Sequence, residues 1–331
     1  MNTFGENLRI TIFGEACGPA IGVVLDGLPP GEEIDVSRVS EELLRKVPGS
    51  SELGDVDKTN GAEPVFISGL LNGRTTGAPV CALIRNTESN NSDSGSGPLR
   101  PGHADLTARI KFSGFADMRG DGPFSGKLTS AMVAAGSVCR QILERRGVSI
   151  QASIVQVGQA VGQELDLDMK KEILDARAAG DSVGSVVECV VTGAPAGLGG
   201  LMFGGMESRI AAMLFAIPGV RGVEFGAGFD IASMRGSHAN DPICLESGQV
   251  FTETNHSGGI NGGITNGMPI VVRVALRPTP SISREQKTVD LEKGENVRLR
   301  LRGRHIPCLG PKAVPVVEAA LAFCILDAMA D

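Results

Sequence analysis

Residues 125–146 read SGKLTSAMVAAGSVCRQILERR, and Gly147 follows. Leu128, Met132, Ala135, Cys139 and Ile142 recur three and four positions apart and form one apolar stripe. That spacing predicts a helix over 125–146. Arg145, Arg146 and Gly147 supply a basic last turn and a glycine stop. The middle of the segment is rich in Ala and Gly, so another element can pack very close to it.

Strand-like runs lie outward on both sides: Arg9–Phe13, Gly22–Leu28, Val65–Leu71, Val80–Arg85, Ile150–Val157, Ser185–Thr192, Gly222–Phe225, Ile270–Leu276 and Asn296–Leu301. Most are rich in Val and Ile and bounded by Gly or Pro. Short glycine-containing connections around 11–25 and 70–82 favour antiparallel pairing. Further helices are expected at Val36–Val47, which stops at Pro48-Gly49, at Asp168–Ala179 before Gly180, at Met206–Ala216 before Pro218, and at Lys312–Met329. Helices and antiparallel strands alternate in both halves without a βαβ rhythm, which predicts an α+β layered fold. No G-x-G-x-x-G follows a first strand, so a Rossmann site is not expected. No stretch resembles an interdomain linker, and residues 1–331 are read as one domain. The polar run Ser89–Pro98 reads as a mobile loop rather than a boundary.

The net charge is −7 with both signs interspersed, which argues against a general nucleic-acid or membrane surface. An anionic ligand would need a local basic pocket. No basic-then-apolar leader opens the chain and no apolar stretch is long enough for a bilayer, so a cytoplasmic protein is expected. Seven scattered cysteines without a C-x-x-C pair read as reduced thiols, with no zinc site. Glycine, at 45 of 331, is about twice its average share. Such loops let backbone approach a ligand or another chain closely. Tyrosine and tryptophan are both absent, and nothing in the sequence explains it.

The sharpest string is Arg100-Pro-Gly-His-Ala-Asp105. A single histidine is often a packed core residue. Here His103 follows Pro-Gly and is flanked by Arg100 and Asp105, a setting in which imidazole is placed to titrate near neutrality.

With Phe13-Gly-Glu-Ala-Cys-Gly18, Arg74-Thr-Thr-Gly-Ala-Pro79, Gly193-Ala-Pro-Ala-Gly-Leu-Gly199, Gly222-Val-Glu-Phe-Gly226, Gly258-Gly-Ile-Asn-Gly-Gly-Ile-Thr-Asn-Gly267, Arg277-Pro-Thr-Pro-Ser-Ile282 and Arg302-Gly-Arg-His-Ile-Pro-Cys308, the chain resembles the chorismate synthases over nearly its whole length. The resemblance implies a layered β-α-β sandwich of antiparallel sheets around helices, usually in a homotetramer. It implies an anti 1,4-elimination of phosphate from 5-enolpyruvylshikimate 3-phosphate, giving chorismate with reduced FMN (FMNH2) as cofactor and no net redox change. It assigns a catalytic role to His103 and Ser125, and a second histidine to the position that Cys17 occupies. Ser125, Gly262, Arg277, Pro278, Thr279, Pro280, Ser281 and Arg304 would bind the flavin. Lys46, Lys58 and Arg302 would meet the substrate phosphate. NADPH is a candidate reductant of the flavin. Two phosphates entering an acidic protein need clustered cations and N–H groups.

The departures bear on activity. Cys17 stands where the family has histidine, and a thiol, mostly neutral at pH 7, cannot imitate an imidazolium facing phosphate. Ile306 replaces an aspartate and cannot accept a proton. Asp121-Gly-Pro-Phe-Ser-Gly-Lys-Leu-Thr129 keeps only Ser125 and Thr129 cleanly, with Lys127 for arginine. Lys46 and Lys58 stand for arginines and lose the bidentate fork. Glu52 replaces another arginine and argues against a nucleotide contact there. Three readings follow: an active chorismate synthase, a flavin-binding homologue with weak or no elimination, and a structural homologue that binds neither ligand.

Overall fold

In the computed structural model, which describes residues 2–46, 63–86, 97–303 and 305–330, the apolar stripe is the centre of the molecule. The helix Thr129–Arg145 is buried along almost its full length. It packs on one side against a sheet and on the other against the last helix, Gly310–Ala328, which is buried as completely. At their crossing, a Cβ added to Gly136 would lie 2.3 Å from Ala319 Cβ. Only glycine allows that approach.

Two antiparallel sheets enclose the helices. The first runs Thr3–Phe4, Arg9–Gly14, Ala20–Asp26, Val80–Arg85, Val65–Ser68 in spatial order. The second runs Val220–Phe225, Ile270–Leu276, Ser185–Thr192, Ser149–Val157, Ala160–Val161. Inward positions of the second sheet, such as Val187, Cys189, Val191, Val272 and Val274, are fully buried. The alternation is the period-2 pattern of a sheet with one face on the core. This is the α+β sandwich expected.

Local boundaries depart from expectation for identifiable reasons. The central helix begins at Thr129, not at 125, because Ser125 is extended and its hydroxyl caps a tight turn over Gly126–Leu128. The expected strand 65–71 breaks at Gly69, whose φ of +81° splits it into Val65–Ser68 and Leu70–Leu71. A helix at Asp105–Lys111 and a strand at Gln286–Asp290 were not expected. No helix of the described residues is long and apolar enough to cross a membrane.

Candidate functional site

Segment 97–104 lies along the hairpin formed by Gln286–Asp290 and Glu295–Leu299. Leu99 N donates to Val289 O at 3.1 Å, and the Thr288 hydroxyl donates to Leu99 O. Arg100 then folds onto Asp105 through Nε at 2.9 Å and Nη2 at 2.6 Å, while its backbone N donates to the same carboxylate at 2.8 Å. Burial pushes the Asp105 carboxyl up, but the bonds from Arg100 outweigh it and hold the group low. The fork closes the loop that presents His103.

Gly102 takes a φ of +73°, and a Cβ there would come within 2.9 Å of Pro280. His103 Nδ1 lies 3.1 Å from Pro101 O, and Nε2 lies 2.8 Å from Ser281 Oγ. A carbonyl only accepts, so Nδ1 carries the proton in the neutral ring and Nε2 accepts from the Ser281 hydroxyl. Burial, then the charge of Arg100, holds the imidazole below its ordinary value, with Asp121 pulling the other way. The neutral form is therefore favoured at pH 7.

Arg277 follows the strand Ile270–Leu276, and its N donates to Gly219 O at 2.9 Å. Its guanidinium reaches Gly102: an added Cβ there would be 3.8 Å from Nη1. Burial, then the charge of Arg221, pushes that guanidinium down from its ordinary value, while Asp121 opposes. Pro278 is exposed beside it. The Thr279 hydroxyl is buried with no partner among the described residues, although Ser182 donates to the Thr279 carbonyl at 2.7 Å. A buried hydroxyl without a partner is costly, so this one is poised for a ligand acceptor.

The Cys17 loop closes another side. Ala16 N donates to Gly122 O at 3.1 Å, and a Cβ on Gly120 would lie 3.1 Å from Cys17 Sγ. Gly120, Asp121 and Gly122 all have positive φ, at 58°, 72° and 51°. This turn carries Asp121 to Arg100, at 2.8 Å from Nη2. Non-glycine residues in that conformation carry strain, and such strain concentrates at functional sites.

Other expected residues lie in other surroundings. Ser125 is buried and accepts from Lys127 N at 3.3 Å. Lys46 is buried too, and its ammonium donates to Gly126 O at 3.0 Å and Ser130 Oγ at 2.7 Å, so it holds the turn after Ser125. Gly262, at φ +60°, has nothing within 4 Å of an added Cβ and leaves open space for an approaching group. Arg302 is exposed. Lys58, Glu52 and Arg304 lie outside the described residues. His305 Nε2 is buried without a partner among the described residues. No group of His, Cys, Asp or Glu among them could hold a metal ion.

Four strings distant in sequence, 14–18, 100–105, 119–124 and 277–281, thus form one cluster. Arg221 joins it from a fifth, and no local motif announces that residue.

The family model described as "Chorismate synthase" matches residues 8–330. The chain is 46% identical to the chorismate synthase of Thermococcus gammatolerans, over 98% of this chain and 96% of that protein. It is 41% identical to the chorismate synthase of Methanothermobacter thermautotrophicus, over 99% and 94%. A crystal structure of a chorismate synthase superposes with a TM-score of 0.77 at 27% identity, covering 98% of this chain and 92% of that one.

Proposed function

We propose that this chain, which belongs to the chorismate synthase family and is a lyase of the shikimate pathway, carries out its elimination at the cluster around His103, Ser281, Arg277 and Thr279. The observation that carries this assignment is the Arg277 guanidinium, without a carboxylate partner among the described residues, beside the unsatisfied Thr279 hydroxyl and the His103–Ser281 pair. An anion answers all of these demands together.

The residues fit a phosphorylated flavin, FMN. Arg277 offers charge and Thr279 offers a hydroxyl without a partner among the described residues, while the proton of the Ser281 hydroxyl goes to His103. When bound, the reduced flavin supplies an electron-rich ring against which the elimination proceeds with no net redox change. The chain's own residues hold the charges and the proton. The Arg100–Asp105 fork fixes the loop, and Gly102 lets it lie against Pro280. Neutral His103 holds a lone pair at Nε2, kept in line by the Ser281 hydroxyl, and takes up there the proton that the substrate's C–H bond loses as its phosphate departs. Cys17 flanks the cluster in place of the family's imidazole, so phosphate stabilisation falls on the arginines.

The substrate is 5-enolpyruvylshikimate 3-phosphate. A homotetramer in the cytoplasm is proposed from the family, and the run Leu201-Met202-Phe203, exposed at 79, 81 and 92%, is apolar surface that a second copy would cover. NADPH is the proposed external reductant.

The test is an anaerobic assay with chemically reduced FMN and the substrate. Phosphate release dependent on reduced FMN is expected. Tight FMN binding without phosphate release at high enzyme concentration would leave only a flavin-binding homologue.

A further inference from the structure

The strand Val220–Phe225 pairs with Ile270–Leu276 through a bulge. Val220 faces Leu276 and Gly222 faces Ala275, so Arg221 is the extra residue with no cross-strand partner. Bulges re-aim a side chain and recur next to active sites. The ladder continues past the bulge, where Arg277 N donates to Gly219 O at 2.9 Å. Val220 and Leu276 go to the core, while Arg221 is exposed and Arg277 half-buried. Two arginines therefore stand at the adjoining ends of neighbouring strands. Neither makes an ion pair or a side-chain hydrogen bond among the described residues, whereas Arg100, Arg119, Arg140, Arg145, Arg273 and Arg284 each pair with a carboxylate.

We propose that Arg221 and Arg277 form a two-guanidinium clamp for a phosphomonoester dianion, with Arg221 as its second, specificity-giving cation. The inference rests on the flavin and phosphate chemistry proposed above and adds a residue to it. Like charges brought together without an anion repel, and the depressed Arg277 guanidinium registers that repulsion after burial itself. Asp121 is the carboxylate facing the pair, and Arg100 already engages it at 2.8 Å. The unsatisfied Thr279 hydroxyl, two residues from Arg277, supplies a neutral donor to the same dianion. A planar guanidinium reads phosphate oxygens in pairs, which lysine cannot do.

The dianion could be the phosphate of the flavin or that of the substrate, and the experiment separates them. Wild type, Arg221→Ala and Arg221→Lys are titrated by calorimetry with inorganic phosphate, FMN, riboflavin and the enolpyruvyl substrate. Arg221→Ala is expected to weaken inorganic phosphate and one phosphorylated ligand by about ten- to hundredfold. Riboflavin is unchanged and Arg221→Lys recovers part of the loss. A loss for FMN assigns the clamp to the cofactor, and a loss for the substrate assigns it to the leaving phosphate. Equal affinity of wild type and Arg221→Ala for all phosphorylated probes overturns the clamp while leaving the proposed function intact. Arg221-dependent binding of inorganic phosphate without binding of flavin or substrate upholds the clamp and removes the proposed function. A wild type that binds none of the four overturns both.

Discussion

His103 Nε2 lies 2.8 Å from Ser281 Oγ, across 178 positions of sequence. The hydroxyl donates to the lone pair of the neutral ring, and that bond favours the unprotonated form. Burial and Arg100 act in the same direction. The folded-state pKa is depressed, so the associated stability is present above the ordinary imidazole value of 6.5 and is lost as pH falls through the folded value. The acid limb of kcat/KM is therefore expected below pH 6.5. Ser281→Ala should move that limb upward and lower turnover by about tenfold. A pH–rate profile with an NMR titration of the imidazole checks both. A limb that does not move separates Ser281 from His103 function.

His103→Ala should remove the limb itself and cost about 10²–10⁴ in turnover or weaken reduced-flavin binding. If neither quantity changes in anaerobic kinetics, the proton acceptor is another group.

Cys17→His restores an imidazole at a position that packs against Gly120, where the missing Cβ leaves room next to Sγ. A protonated ring there adds positive charge at a site where phosphate would otherwise rely on arginines. The expected outcome is a faster single-turnover rate, by about tenfold or more. An unchanged rate would mean that this corner does not touch the reaction.

The string Arg100–Asp105 was legible because its residue types and their spacing are local, and the fork between its ends is a short-range contact. Ser281 was expected only as a flavin-binding hydroxyl, from the resemblance. Its bond to His103 was not, because that depends on how the 286–290 strand seats the 97–104 segment. The strand itself, QKTVD, is polar and half-exposed, so it carries no apolar alternation. The helix Asp105–Lys111 escaped for a similar reason: Ala104 provides no side-chain cap, and Leu106 and Ile110 stay exposed. Arg221 needed the register of a bulge, which no single strand encodes. The central helix was the easiest element, since its stripe is long and periodic, although its start was masked by the Ser125 cap.

The small residues in that helix make a quantitative prediction. A methyl at Gly136 would lie 2.3 Å from Ala319 Cβ, 2.4 Å from its Cα and 2.7 Å from its carbonyl oxygen. Two of those atoms are backbone, so the helices must separate. Gly136→Ala should destabilise by roughly 3 kcal/mol in spite of alanine's better helix propensity. Denaturant midpoints measure it, and a stabilised variant would refute the close crossing.

Asp327, near the end of the last helix, ties the chain's two ends together. Its Oδ1 accepts from Asn7 N at 2.8 Å and Leu8 N at 2.7 Å, and Oδ2 accepts from Glu6 N at 3.2 Å. The carboxylate is buried, so its acceptors are not replaceable by water. Asp327→Ala leaves these amides without partners, at a cost of roughly 3 kcal/mol. Asp327→Asn keeps one oxygen and turns the other into a donor facing an amide, so an intermediate loss is expected. Hydrogen exchange at Asn7 and Leu8 should quicken in the order wild type, Asn, Ala, ahead of the amides in the Thr129–Arg145 helix. Equal acceleration in both places would mean that the turn and the core open as one unit, and that Asp327 does not hold the N-terminal segment locally.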